Sequence, residues 1–457
     1  MASWNTIKLS EIKPDRFDAE YFRKDCQENI DILESTGPTT NLGRIFNYIN
    51  RGSQPSYSEN GTLKVLRSVN VGFMNFNETR QEYVTEAFFE NSNRGKVQKD
   101  DVLITSTGVG TLGRTSIWYE NEKAYCDGHI TILRNSEIDP YLITAFLNTK
   151  YGLKQFDQNY RGSSGQIEIY PYDISKFIIP ECVIQCHDEI GSILRESFEL
   201  KQQSQNLYNE SIEILNKEMR IGNIQLEKKK KYTTSLSNLI MNNRIDADFY
   251  NPDYETLKNH LKNLNGKKLR EVASLKSGFA FSSNKYKNSG KQIVRIQNIS
   301  GNLLNLDRNP VYYKNLDLEK LSFFRIKKGD TLMAMTGNTI GNCTLNTCDE
   351  ELYLNQRVLA ISPNTESVTP EYLFLILKHI IFKTFIDREL VGGAQPNISL
   401  NFISNQIIPL IEKEKMNIIT EKLIKYFEYT TRSKQLLEQA KQRVEELIEN
   451  AAGVQND

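Results

Sequence analysis

The sequence runs through one pattern twice, at an offset of 228 or 229 residues. Arg16–Phe22 (RFDAEYF) returns as Arg244–Tyr250 (RIDADFY). Lys99–Ile104 (KDDVLI) returns as Lys328–Met333 (KGDTLM), each followed by a Thr-Gly turn at Thr107-Gly108 and Thr336-Gly337. Arg67-Ser-Val-Asn70 returns as Arg295-Ile-Gln-Asn298, and Gly165-Gln166 with Ile178-Ile-Pro180 returns as Ala394-Gln395 with Ile407-Ile-Pro409. A register held over so many short motifs is a duplication. Its period is far longer than the roughly 20–50 residues of solenoid repeats, so the chain folds as two similar domain-sized units. Two such units imply pseudo-two-fold symmetry and a partner offering two comparable sites.

At 457 residues the length suits about three domains, which two equal halves and shared helices satisfy. Lysine and arginine together number 57, as do aspartate and glutamate, so the formal net charge is zero. That argues against a simple polycation coating nucleic acid and leaves room for local basic grooves or neutral recognition loops. Met1–Lys8 lacks the charged-then-apolar layout of a secretory signal. The most apolar window, Tyr372–Leu377, is broken by Lys378-His379 and is too short to span a bilayer. The expected compartment is the reducing cytoplasm, with no membrane partner and with the six cysteines as free thiols. Cys182-x3-Cys186-His187 and Cys343-x4-Cys348 invite a zinc reading. A closed site needs four ligands and neither pair recurs in the other copy, so no metal ligand is assigned.

The order of elements predicts an α+β fold: two tandem, pseudo-symmetric globular domains separated by two long antiparallel coiled-coil helices. A helical lead-in occupies residues 1–40 (with a helix over Asp18–Leu33) and again 244–268 (Asp246–Leu264). Each precedes a β-rich domain, 41–183 and 269–410, then a long helix, 184–222 and 411–452, with 223–243 as the linker. Val102–Thr105, Thr115–Trp118 and Ile130–Leu133 are strand candidates in the first half; Ile293–Ile296, Thr331–Ala334 and Val358–Ile361 are their counterparts. One proline-opened helix follows in each, Pro140–Phe156 and Pro370–Phe385.

In the long helices a four-then-three spacing runs through Ile193, Ser197, Leu200, Ser204, Leu207, Ser211 and Ile214. It recurs through Leu423, Tyr426, Thr430, Ser433, Leu437, Ala440, Val444 and Leu447. Each could pack only on its own domain; two equivalent helices of this length favour pairing with each other. They pair antiparallel, because the chain leaves the first, crosses the second unit and returns. The basic stretch Gly222–Lys231 reads as a solvated connector.

Gly108-Val-Gly-Thr-Leu-Gly113 matches G-x-G-x-x-G, but a nucleotide site needs a helix to begin there. The β-rich Arg114–Tyr119 follows instead, so a glycine-rich hairpin is expected. An adenine methyltransferase would carry a Pro-Pro loop, and the chain has no Pro-Pro pair. Pro252–Lys258 imitates a nuclease motif without a match in the first copy, and His129, His187, His260 and His379 form no triad or metal cluster. No catalytic residue is assigned. What remains is binding chemistry in loops: Arg51, Ser53, Tyr57, Arg67, Asn70, Thr107, Arg114, Arg161, Ser163, Ser164 and Gln166 in the first half. The second half offers Lys276, Phe279, Arg295, Asn298, Thr336, Asn338, Gln395 and Asn397. Arginine pairs with guanine, asparagine and glutamine pair with adenine, and hydroxyls hold phosphates. Any one of these residues can be a plain turn residue. Their recurrence at equivalent positions, on matching framework with differing side chains, favours binding to double-stranded DNA.

The ordered set of motifs, found twice over essentially the whole length, resembles the specificity subunit of a type I restriction–modification system. The resemblance implies that each half is a target recognition domain reading one part of a split, asymmetric DNA site. The helices would set the gap and dock two methyltransferase (modification) subunits, with Ile193, Leu200, Leu207, Ile214, Leu423, Leu437, Val444 and Leu447 as the apolar seam. A motor–nuclease (restriction) subunit would join them. S-adenosylmethionine, ATP and Mg²⁺ are then expected in the partner subunits, and no cofactor in this chain. The rival readings are a fused or degenerate DNA methyltransferase–nuclease, and a coiled-coil scaffold that binds protein.

Overall fold

Short runs of β-branched and aromatic residues, punctuated by glycine and asparagine, build the same pair of four-stranded sheets twice. The computed structural model describes residues 6–8, 12, 16–78, 80–162, 165–224, 226, 231–314, 319–390 and 397–454. The fold is α+β and divides into two units, residues 1–202 with 430–457, and residues 203–429. Among the described residues, no helix is long and apolar enough to cross a membrane.

In the first unit one sheet has the order Phe46–Arg51, Ile130–Ser136, Val102–Thr105, Thr115–Ile117, all antiparallel. The other runs Glu82–Val84, Leu63–Leu66, Ala124–Cys126, Lys96–Val97, with its middle pair parallel. The second unit has the same order: Ala273–Ser277, Val358–Pro363, Thr331–Ala334, Cys343–Leu345. Its smaller sheet is Tyr312–Tyr313, Lys291–Val294, Leu352–Leu354, Arg325–Ile326, again with the middle pair parallel. The Ile-Ile-Pro motif returns each unit to its start, pairing Ile178–Pro180 with Thr39–Asn41 and Ile407–Ile408 with Lys267–Lys268.

The recurring polar motifs are internal braces. Asp101 accepts from the backbone of Gln98 at 2.7 Å and Asp330 from Lys327 at 2.8 Å, closing the turn before each central strand. Arg16 forks onto Asp18 with two 2.8 Å bonds and donates to the carbonyls of Gln158, Asn159 and Tyr160, the open end of the helix Lys150–Asn159. Arg244 repeats this, with 3.0 Å bonds to Asp246 and 2.9 Å to the Glu389 carbonyl. The first lead-in helix begins at Lys24, later than the expected Asp18, because Asp18 is committed to Arg16 and the Tyr21 amide.

The proline-opened helix of each half is two helices, a correction to the single one expected. Pro140–Leu147 is followed by Lys150–Asn159, and Pro370–Lys378 by Ile380–Leu390. Apolar spacing continues through the break, but Thr149 caps the new helix by accepting from the Gly152 amide. His379 does the same work in the second unit. Its Nδ1 accepts from the Ile381 amide at 3.2 Å and its Nε2–H donates to Asn216 at 2.8 Å, which fixes the neutral tautomer.

Burial lowers the His379 pKa from 6.5 to about 4, and a proton on Nδ1 would delete the cap. The unfolded chain then binds the proton that the folded one refuses, so stability is complete above about pH 6.5 and falls as pH drops toward 4. The contribution is about 3 kcal/mol. Urea unfolding of the second unit between pH 4 and 7 is expected to show a steeper pH slope in the native protein than in His379→Asn. Parallel slopes would remove His379 from the account.

The long helices are His187–Glu218, 32 residues, and Lys413–Ala452, 40 residues. In the first unit Ser197 bonds the Ser433 carbonyl at 2.9 Å and Arg443 bonds Glu189 at 2.9 Å, an antiparallel pairing. In the second, Glu210 meets Lys422 and the Tyr208 ring lies 5.2 Å from that of Tyr426, again antiparallel. The expected seam is corrected in width. Ile193, Leu200, Leu207, Ile214, Leu437 and Leu447 are half-buried, while Leu423 and Val444 are fully buried. The first helix's fully buried apolar residues, Ile190, Leu194, Phe198 and Leu215, with Met219 just beyond its end, join the cores of the units they lie in. The stripe is wider than a two-helix seam because each helix faces both its partner and its domain.

Candidate functional site

The expected hairpin is present: Val102–Thr105 and Thr115–Ile117 pair antiparallel, and Gly108-Val-Gly-Thr-Leu-Gly113 turns between them. Gly113 has φ +84, and a Cβ there would meet Phe156 at 3.0 Å, so a side chain would strain both turn and core.

Several of the first-half candidates converge beside this turn. Arg51 bonds Glu168 twice at 3.1 Å and the Ile169 carbonyl at 2.9 Å, with its guanidinium 5.0 Å from the Tyr170 ring. Thr107 bonds His129 Nδ1 at 2.9 Å, and Thr107 and Arg161 each bridge to the Glu168 backbone. Arg161 also grips Asp173 at 2.9 Å, and Arg114 donates to the Gly110 carbonyl at 2.6 Å. The Tyr170 hydroxyl and then Arg51 hold the Glu168 carboxyl below its usual range, so this end of the unit carries two ion pairs, Arg51–Glu168 and Arg161–Asp173. Gln166 is exposed on the loop above it. Ser163 and Ser164 lie outside the described residues.

The equivalent end of the second unit has different chemistry. Phe279 packs edge-on against Phe281 at 5.1 Å and bridges to Asn355; Thr336 bridges to Asn397; Asn338 is exposed. Gln356 and Arg357 sit between these strands. Gln395 lies outside the described residues. Sequence reasoning missed Glu168, Tyr170, Asp127 and His129 in the first unit, and Asn355–Arg357 in the second. The signal was available: Asp127-Gly-His129 and Asn355-Gln-Arg357 stand at the duplication offset, joining matched strands. Burial raises the Asp127 pKa, and its carboxylate takes the His129 amide at 2.9 Å.

Asn70 and Asn298 are corrected from readers to braces, and Arg67 and Arg295 are anchored beside them. Asn70 and Asn298 are 0% and 1% exposed. Each accepts from the arginine three residues earlier, at 3.1 and 2.9 Å, and donates across its loop to Asn77 or Asn305. Their amides are spent on the turn. Arg67 and Arg295 donate to the carbonyls of Arg80 and Asn309, which sit in the left-handed region at φ 50 and 48. The two arginines lie 6.0 and 5.7 Å from the rings of Tyr57 and Tyr286. Ser53 is likewise engaged, with the Tyr125 hydroxyl. Tyr57 stays 44% exposed. Lys276 reaches the Arg325 carbonyl. Among the described residues no three His, Cys, Asp or Glu gather where they could hold a metal.

Residues 261–442 match the family described as the type I restriction modification DNA specificity domain. The chain is 26% identical over 188 residues to the type I restriction enzyme MjaVIII specificity subunit of Methanocaldococcus jannaschii, covering 40% of this chain and 44% of that protein. It is 23% identical over 162 residues to the EcoBI specificity subunit of Escherichia coli, covering 35% and 34%. Less than half of either relative's length is matched. The crystal structure of the type I restriction-modification system S subunit from M. genitalium aligns with a TM-score of 0.48 at 12% identity, over 91% of this chain and 95% of that one.

Proposed function

We propose that the chain is a type I restriction–modification specificity subunit, as the match of residues 261–442 to that specificity domain supports, and that it reads a split, asymmetric DNA site, one part per unit, and performs no chemistry itself. One observation carries this. The family's specificity domain matches the second copy, and the first copy repeats its strand order and braces while changing the side chains at the loop end. A common scaffold with different loop chemistry is what reading two unlike sequences requires.

The long helices act as the spacer, as paired coiled-coil rods between two recognition domains. At about 1.5 Å per residue, 32 residues rise about 48 Å, enough to separate contacts by one DNA turn of roughly 34–36 Å. Two methyltransferase subunits dock on the chain and a motor–nuclease subunit joins them, in the cytoplasm. S-adenosylmethionine, ATP and Mg²⁺ belong to those partners. With no net charge, the chain leaves much of the phosphate clamp to them.

The test is footprinting of the chain with its modification subunit on DNA. Two protected patches flanking an unprotected gap are expected. One continuous patch would end the split-site reading, and methyl transfer by the purified chain alone would end the non-catalytic one.

A further inference from the structure

The two units carry different side chains at one matched pair of sheet positions. In the first, Arg134 pairs across the strand with Tyr48, its guanidinium 5.3 Å from the tyrosine ring. It grips Asp101 at 2.6 and 2.7 Å and donates to the Lys96 carbonyl at 2.7 Å. At the same register of the second unit Ser362 pairs with Ser274. Ser362 holds Asp330, the counterpart of Asp101, at 2.6 Å. Lys276, two residues along, reaches the carbonyl of Arg325, the counterpart of Lys96.

Two serines where the first unit has a tyrosine and an arginine leave a cleft of about 700 Å³. Arg325 and Lys327 are exposed on its wall, and neither forms an ion pair with a described residue. Lys328 is taken by Asp349 at 2.7 Å, and among the described lining residues Glu350 is then the remaining carboxylate beside Lys276, Arg325 and Lys327. Phe323 stands at the rim, 70% exposed, its ring centre 5.9 Å from the Lys276 ammonium. Burial lowers the Lys276 pKa, the sign of an ammonium that gains from an anionic neighbour. Cations that meet phosphate oxygens beside an open aromatic face are the elements of nucleotide-strand binding.

We propose that this cleft holds phosphoryl groups of a DNA strand on Lys276, Arg325 and Lys327, with Phe323 offered to a base. The matching place in the first unit is filled by its own Tyr48 and Arg134. The proposal rests on the DNA reading above and assigns the phosphate grip unequally between the units.

The experiment measures binding of a labelled random-sequence duplex, and separately of labelled ATP, to the full chain with its modification subunit. One variant borrows the first unit's filling, Ser274→Tyr with Ser362→Arg; the other is Arg325→Gln with Lys327→Gln, both on exposed side chains. Each is expected to weaken duplex binding about tenfold near physiological salt, and the second to make the log–log salt slope shallower by about two. The first variant adds a cation, so a loss of affinity cannot come from reduced charge. Wild-type duplex and ATP binding in both variants would overturn the cleft and leave the DNA reading intact. Loss of ATP binding alone would assign the cleft to a free nucleotide. An unaltered complex that binds neither probe would sink the cleft and the DNA reading together.

Discussion

Arg16→Ala is expected to destabilise the first unit by about 1–3 kcal/mol, the range for leaving buried carbonyls without a charged donor. Arg16 is 3% exposed. Its guanidinium joins three things that are otherwise unconnected: the Asp18 carboxylate, the last carbonyls of the helix Lys150–Asn159, and the Tyr21 ring at 4.5 Å. Removing it leaves the carbonyls of Gln158, Asn159 and Tyr160 with one donor fewer, and takes a cation from a helix C-terminus where it is favourable. Asp18 is 42% exposed on its side chain and can turn to water, so the loss falls on the helix end. Arg16→Lys keeps the charge but not the fork, and an intermediate loss is expected.

Two units make a single melting temperature ill-defined, so the readout is limited proteolysis in urea with the fragments mapped. Cleavage within residues 16–35 and 150–162 is expected at lower urea than in the native chain, with residues 244–263 and 380–390 unchanged. Arg244→Ala reverses the pattern. Unaltered protection in both variants would refute the shared role of the motif.

The duplicated motifs were legible because they are local. Val102–Thr105 and Thr331–Ala334 are four consecutive fully buried residues; their shortness and flanking turn residues mark them as strands, since the helices Pro140–Leu147 and Pro370–Lys378 carry longer buried runs. Where a side chain bonds back onto the backbone, the sequence was ambiguous. Asn70 and Asn298 carry the amide that suits adenine, yet burial turns it onto their own loops. The breaks at Thr149 and His379 were hidden, since hydrophobic spacing runs unbroken across a cap. Glu168, Tyr170 and His129 escaped for another reason: they reach Arg51 and Thr107 only through the tertiary fold, from 22 to 119 residues away. The wider stripe on His187–Glu218 was visible in principle, in Ile190, Leu194 and Phe198, but a seven-residue seam explained the spacing without them.

A matched insertion of seven residues in each long helix is expected to abolish recognition of the original site and to select one with a longer gap. The points are between Leu200 and Leu207, and between Tyr426 and Ser433. They fall between the Ser197–Ser433 contact and the Tyr208–Tyr426 contact, so both are kept. Seven residues restore the hydrophobic register in each helix and lengthen it by about 10.5 Å, which is about three base pairs at 3.4 Å each. Three base pairs also rotate the groove by nearly a third of a turn, so the second unit would meet the wrong face of the original site. The fall should approach the ratio between specific and non-specific binding, about 10³-fold or more. An insertion in one helix alone breaks the pairing and serves as the control for lost structure. Methylome mapping in cells carrying the matched variant reads the result. The same two half-sequences are expected, separated by about three more base pairs. The original gap, read at full strength by the lengthened protein, would show that the helices do not measure the DNA.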